Sequence, residues 1–445
     1  FNCGVQYEFP QGNMYRVLPE LLKKKKIKKE DIDKAVEQVL TFKFSLGLFE
    51  NPYVDEKQAI AVSKSLLHRK TALKAAHESV VLLKNEGILP LKKGKFKKIA
   101  VIGPCAKDVW FGGYSGEPYE KVSLLDGIRN KAGNGTEVLF AQGCRLTINT
   151  TLSYFNWKYD EIRFASREEN MKLIKEAVKV ASGADLVILA LGENEHLCRE
   201  AWAQNHIGDN MTLDLFGEQG ELADAITALG KPVVLYLMNG RPLSINKLAE
   251  KVPAIVEGWY MGQETGTAAA DILFGEVNPS GKLTITFPKS AGQLPMYYNH
   301  KPSAQWQDYI SLDNKPLFHF GFGLSYTQFR YGKPVLRKST VKKNETAKVT
   351  VEITNAGKIE GVEIVQLYIR DVVSSVTRPV RELKGFARIS LKPGETKKVS
   401  FDITPDKLAF HNIDMKYVVE PGDFEIMTGS SSRDEDLQKT MLTVM

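Results

Sequence analysis

The feature that most restricts the fold is a change of period along the chain. Between residues 59 and 290, short uninterrupted apolar runs alternate with segments of helical spacing, and from 334 onward apolar residues recur at every second position. Runs such as Ile99-Ala100-Val101-Ile102 and Val233-Val234-Leu235-Tyr236-Leu237-Met238 have no polar face. They suit strands buried on both sides of a parallel sheet better than strands wetted on one side. Helices are expected over 65–83, 168–181, 218–229 and 264–274, and strands over 98–103, 138–142, 185–191, 232–238 and 254–260. The result is an α/β sandwich with a mostly parallel sheet, and such sheets gather ligand-binding loops at the carboxyl ends of their strands.

In the later part, Val349, Val351 and Ile353, then Val365, Leu367 and Ile369, then Val399, Phe401 and Ile403 alternate with polar residues. Turn signals lie between them at Asn355-Ala356-Gly357, Lys392-Pro393-Gly394 and Pro421-Gly422-Asp423. This is the pattern of a β-sandwich of immunoglobulin or fibronectin type. Residues 291–333 are rich in Pro, Tyr and Gly and read as a connector. In residues 1–58 a helix is expected over 29–48, from Ile32, Val36, Val39 and Leu40, with Gly47 placed to stop it. That block is too short for its own core. Phe1-Asn2-Cys3-Gly4-Val5 reads like the interior of a strand and turn, so the expectation is a chain cut from something longer. The expected division is 1–58, 59–290, 291–333 and 334–445.

Several chemistries lose their support on inspection. The net charge of +7 comes from scattered lysines, and the densest run, 23–29, is broken by Ile27 with no Arg or aromatic interleaving. It reads as a solvated surface, and nucleic acid is not expected as a partner. No apolar run reaches the roughly 20 residues of a membrane helix. The four cysteines form no C-x-x-C pair, so neither a zinc site nor a dense disulfide framework is suggested. Residues 275–282 resemble a phosphate loop, but five residues separate the glycines and Leu283 replaces the magnesium-binding Ser or Thr. No cofactor is expected.

The segment after the expected strand 185–191 has the unusual composition: Gly192-Glu193-Asn194-Glu195-His196-Leu197-Cys198-Arg199-Glu200-Ala201-Trp202. A carboxyl group held against an aromatic wall has its pKa raised and can serve as a general acid. The alternative reading of the same residues is a polar surface loop. His196 and Glu200 would share a face if helical, yet a metal would lack a third ligand.

The chain resembles family 3 glycoside hydrolases along its whole length, in collinear order. Ile32-Asp33-Lys34-Ala35-Val36 with Lys43-Phe44-Ser45-Leu46-Gly47-Leu48-Phe49 is similar to the end of that family's (β/α)8-type barrel. Glu78-Ser79-Val80-Val81-Leu82-Leu83-Lys84-Asn85 resembles a linker helix entering the second domain, and Ile99-Ala100-Val101-Ile102-Gly103-Pro104 its first strand. Gly113-Tyr114-Ser115-Gly116, Leu125-Asp126-Gly127-Ile128, Asn239-Gly240-Arg241-Pro242, Asn278-Pro279-Ser280-Gly281-Lys282-Leu283 and Phe320-Gly321-Phe322-Gly323-Leu324-Ser325-Tyr326 are similar to further family blocks. Arg378-Pro379, Leu383-Lys384-Gly385-Phe386 and Leu391-Lys392-Pro393-Gly394-Glu395 resemble its fibronectin type III-like domain.

The resemblance implies an exo-acting, retaining β-glycosidase, in which a barrel Asp attacks the anomeric carbon and a Glu from the α/β domain protonates the leaving oxygen. It places the acid/base at Glu200, with Glu195 as the rival and Glu193 in a structural role at the strand end. Arg199, His196 and Trp202 are the substrate-binding candidates. The nucleophile's motif should precede Gly4-Val5-Gln6-Tyr7-Glu8 and is expected in a barrel segment or chain beyond this sequence. Terminal β-linked glucose is the expected glycon, β-xylose the alternative within the family, with N-acetylglucosamine also open. A non-catalytic carbohydrate-binding or scaffolding fragment is the alternative of another class. Expected partners are a β-linked oligosaccharide or glycoside, the barrel segment and a second copy in a homodimer, in a periplasmic or secreted setting without membrane contact.

Overall fold

The computed structural model describes residues 4–112, 115–116, 118–148, 162–201, 207–302 and 308–445. Of the residues named above, Phe1, Asn2, Cys3, Gly113, Tyr114 and Trp202 lie outside them. The chain forms two compact units, Phe1–Arg69 and Lys70–Met445.

The first unit is helical, with α1 (Leu18–Lys23), α2 (Lys29–Ser45) and α3 (Glu56–Ser63). Gly47, at φ +66°, follows α2 as the sequence led one to expect. Asp55 caps α3, its Oδ1 accepting the Lys57 and Gln58 N–H groups at 2.9 and 3.2 Å. Among the described residues of this unit only Ala35 is buried, and the apolar stripe of α2, including Val36, Leu40 and Phe44, faces outward.

The second unit opens within α4 (Leu66–Ser79) and continues through β1 (Val81–Asn85), β2 (Lys98–Ile102), α5 (Leu124–Ala132), β3 (Glu137–Ala141), α6 (Arg167–Ser182), β4 (Leu186–Gly192), α7 (Glu195–Cys198), α8 (Gln219–Thr227), β5 (Val233–Met238), α9 (Asn246–Lys251), β6 (Ala254–Glu257) and α10 (Thr265–Leu273). The six strands lie in the order β1-β6-β5-β4-β2-β3, all parallel but for β1. Two sequence expectations are corrected at β1. The helix expected over 65–83 and the linker helix expected from Glu78 to Asn85 both stop at Ser79, and the sheet's first strand is β1, not β2. Val81 and Leu82 pair with Glu257 and Val256 across the sheet edge. A continuous apolar run joined directly to a helix has no period of its own to mark where the helix ends.

Every residue of β4, β5 and β6 is buried. In β4 the alternation puts Leu186, Ile188 and Ala190 into one apolar layer and Val187, Leu189 and Leu191 into the other. On the first face α5 and α10 touch backbone to backbone, since a Cβ on Gly127 would lie 2.0 Å from the Gly266 carbonyl oxygen. Strand order reverses between β2 and β4, which makes their carboxyl ends the switch point where such sheets bind ligands.

The β-sandwich comprises β7 (Phe329–Tyr331), β8 (Val335–Leu336), β9 (Thr340–Val341), β10 (Ala347–Asn355), β11 (Gly361–Asp371), β12 (Glu382–Leu391), β13 (Thr396–Ile403), α11 (Pro405–Leu408), β14 (Phe410–His411), β15 (Tyr417–Val418), β16 (Gly422–Gly429) and β17 (Leu437–Val444). One sheet is β13-β10-β7 with β8 beside β10, and the other is β12-β11-β16-β17-β9. The alternating residues Val349, Val351, Ile353, Val365, Leu367, Ile369, Val399, Phe401 and Ile403 all enter the core between them. The connector fastens this sandwich to the α/β sheet. Leu324 N–H donates to Leu82 O at 2.8 Å, and the buried Glu363 of β11 takes Lys282 Nζ at 3.2 Å and the Tyr331 hydroxyl at 2.9 Å.

Candidate active site

The site is built where β4 ends. Gly192 has φ +146°, and a Cβ there would lie 1.9 Å from the Met238 carbonyl oxygen, so only glycine fits. The Gln219 amide brackets it, with Oε1 accepting the Gly192 N–H and Nε2 donating to the Gly192 carbonyl, both at 2.9 Å. Glu193 then turns inward to zero exposure. Arg241, from the loop after β5, meets it in bidentate fashion, Nε to Oε2 at 2.9 Å and Nη2 to Oε1 at 2.5 Å. Burial raises the Glu193 carboxyl above its ordinary value, and the guanidinium opposes that rise.

The short helix α7 follows, anchored by Asn194, whose Nδ2 donates to Thr147 Oγ1 at 2.9 Å. Glu195, His196 and Leu197 are buried within it. At Arg199 the backbone becomes extended and the chain emerges. A strap holds it there: Asp209 N–H donates to Arg199 O at 2.8 Å, Ala201 N–H to Asp209 Oδ2 at 2.9 Å, and Arg199 Nε to Ile207 O at 3.1 Å. Gly208 gives the strap its closeness, since a Cβ would lie 2.3 Å from the Arg199 oxygen. Glu200 is exposed between these bonds and Arg199 is half-buried. Glu193 and Arg241 therefore pair in the interior, Glu195 and His196 are buried as well, and Glu200 reaches the surface. His196 and Glu200 do not share a helical face, because α7 ends at Cys198. Among the described residues no group of His, Cys, Asp and Glu could hold a metal ion.

The end of β6 supplies residues that sequence reasoning read only as strand. Glu257 is fully buried, its Oε1 accepting the Trp259 N–H at 3.0 Å and its Oε2 accepting Asn239 Nδ2 at 3.1 Å. Asn239 Nδ2 also donates to Arg241 O at 2.9 Å, which ties Glu257 to the Arg241 loop. Trp259 has φ +53°, a rare conformation for a bulky side chain. The Tyr260 hydroxyl donates to Glu193 O at 3.0 Å. The available signal was the lone acid inside Ala254-Ile255-Val256-Glu257-Gly258, a charge in a run otherwise fit for a buried strand.

Burial pushes the Glu257 carboxyl up to about 8, against the smaller pull of the Trp259 N–H and Asn239. The folded protein thus keeps a proton that the unfolded chain gives up from its ordinary value of 4.5 upward. Stability from this group is full below 4.5 and falls as pH rises through about 8, with a slope approaching about 1.4 kcal/mol per pH unit. Glu257→Gln, which stays neutral, is expected to lack that slope. Urea unfolding at pH 5 and pH 7.5 should show the wild type losing on the order of 3 kcal/mol more than the variant. Parallel pH dependences would mean that Glu257 ionises as readily folded as unfolded.

Comparison with known proteins agrees with this architecture. Residues 80–326 match the glycosyl hydrolase family 3 C-terminal domain, and residues 363–432 match the fibronectin type III-like domain. A β-xylosidase of Formosa agariphila is 43% identical over 427 residues, covering 93% of this chain and 55% of that protein. A periplasmic β-glucosidase of Salmonella typhimurium is 41% identical over 451 residues, covering 97% of this chain and 58% of that protein. The solved structure of a β-glucosidase from Erythrobacter marinus superposes with a TM-score of 0.91 at 40% identity, over 100% of this chain and 59% of its own. The chain thus spans little more than half the length of these relatives. With its α/β sheet and its sandwich each matched in place, the chain belongs to glycoside hydrolase family 3.

Proposed function

We propose that this chain supplies the proton-donating part of an exo-acting, retaining β-glycosidase that releases terminal β-linked glucose, with Glu200 as the acid/base. The observation that carries this reading is the contrast among three carboxylates on one short segment. Glu193 is consumed by Arg241, Glu195 is buried, and Glu200 is held in solvent at the carboxyl end of β4, beside the switch point of the sheet. An Asp from the barrel segment would attack the anomeric carbon while Glu200 gives its proton to the departing oxygen. Glu200 would then take a proton from the water that releases the sugar. For this the two carboxyl groups must stand about 5 to 5.5 Å apart. The outward apolar stripe of α2 supports a first unit that is completed by further protein structure. Arg199, half-buried next to Glu200, is the nearest candidate for contact with the leaving group.

The Salmonella relative's name supports the glucoside reading and a periplasmic or secreted location, and no helix among the described residues is long and apolar enough to cross a membrane. The Formosa relative's name favours β-xylosides as the second reading. The complete enzyme is expected to hydrolyse aryl β-glucosides with a higher kcat/KM than the matched β-xylosides and β-N-acetylglucosaminides. Proton NMR of the first-formed sugar should show the β anomer. An α anomer appearing first would mean inversion and would overturn the proposed mechanism.

A further inference from the structure

We propose that Tyr260 is a positioning residue that sets where the Glu200 segment stands, and this rests on the reading of Glu200 as proton donor. The Tyr260 hydroxyl touches the segment at two points, near its start and near its end. It donates to Glu193 O at 3.0 Å and lies 3.3 Å from Cys198 Sγ. Its single proton goes to the Glu193 carbonyl, so the sulfur meets the oxygen's lone pairs, and the one thiol proton is shared between that oxygen and Asn194 O. Cys198 Sγ also lies 3.4 Å from Asn194 O, the residue before α7. One phenol therefore closes a loop from Glu193 to Cys198 and fixes the height at which the chain leaves α7, two residues before Glu200.

Two further features bear on where this ring sits. Gly240, just past β5, is the slot: a Cβ there would lie 2.9 Å from Tyr260 Cε2 and 3.1 Å from Cys198 Sγ. Trp259 is the pivot. Its φ of +53° sends consecutive aromatic side chains in different directions, the indole edge-on to Phe287 at 5.9 Å and the phenol toward the segment. The Glu257 carboxyl holds that unusual backbone through the Trp259 N–H. A strained backbone kept in place by a buried acid suits a function that depends on a side chain's exact position.

The test is leaving-group dependence in the complete enzyme, because a proton donor matters most when the leaving oxygen is basic. Tyr260→Phe keeps the ring in its slot and removes only the grip. It should lower kcat/KM for an alkyl β-glucoside roughly tenfold to a hundredfold, and hydrolysis of a dinitrophenyl β-glucoside far less. Gly240→Ala should produce the same selective loss by pushing ring and thiol apart. Equal losses on both substrates, or none in either variant, would overturn the role of Tyr260, provided that Glu200→Gln itself shows the selective loss. If Glu200→Gln is not selective, the assignment of the proton donor fails first and the positioning role falls with it.

Discussion

Replacing Glu200 by glutamine in the complete enzyme is expected to lower kcat/KM for a β-linked glucose disaccharide by about 10²- to 10⁴-fold, the usual contribution of a general acid. Hydrolysis of a dinitrophenyl β-glucoside should lose far less in its first step, because that leaving group departs without a proton. The amide is close in size and shape to the carboxylic acid, and the side chain is exposed, so unfolding should be unchanged. Glu195→Gln is the informative companion. It lies buried in α7, and its replacement should act on both substrates alike. A selective loss at Glu195 with a uniform one at Glu200 would exchange their roles.

The largest expected effect on stability is at Arg241. Arg241→Met removes the cation from a carboxylate of zero exposure, and breaking a buried pair from one side costs about 3–5 kcal/mol. Burial alone already pushes the Glu193 carboxyl upward, so without the guanidinium the group will escape the cost by binding a proton. The loss measured by urea unfolding should therefore be greatest above neutral pH and shrink as pH falls. Adding Glu193→Gln should recover a large part of it, since a neutral amide no longer needs a counter-charge. Little loss in the single variant would show that water reaches Glu193 more freely than its burial implies.

How much of this was legible in the sequence depends on the range of the interaction that decides each feature. The strands β2 to β5 and the alternating strands of the sandwich declare themselves through local period, and so does the position of the acidic segment after β4. Local pattern could not separate β1 from α4, because Val80 to Leu83 are apolar at every position and the decision belongs to a partner strand far along the chain. It also could not rank Glu195 against Glu200. One lies inside a single helical turn and the other just past its end, and the turn is fixed by Asn194, Thr147 and the strap from Asp209. Arg241 was noticed as part of a block, but its partner across the switch loops is a fact of topology. Tyr260 and Trp259 were invisible as anything but strand, since a backbone angle of opposite sign leaves no trace in composition.

The edge strand β1 has a consequence for how the chain is made. Val81 finds its partner only at Glu257, and the same strand is roofed by Leu324, so the earliest strand of the sheet is completed by two of the later passages. As the polypeptide leaves the ribosome, β2, β3 and β4 can assemble in order, while Val81-Leu82-Leu83 must wait with an apolar face and an open hydrogen-bonding edge. Contacts this distant in sequence slow folding and lengthen exposure to misassociation. The interval between synthesis of β1 and arrival of the connector is thus one in which Val81-Leu82-Leu83 stay open to misassociation.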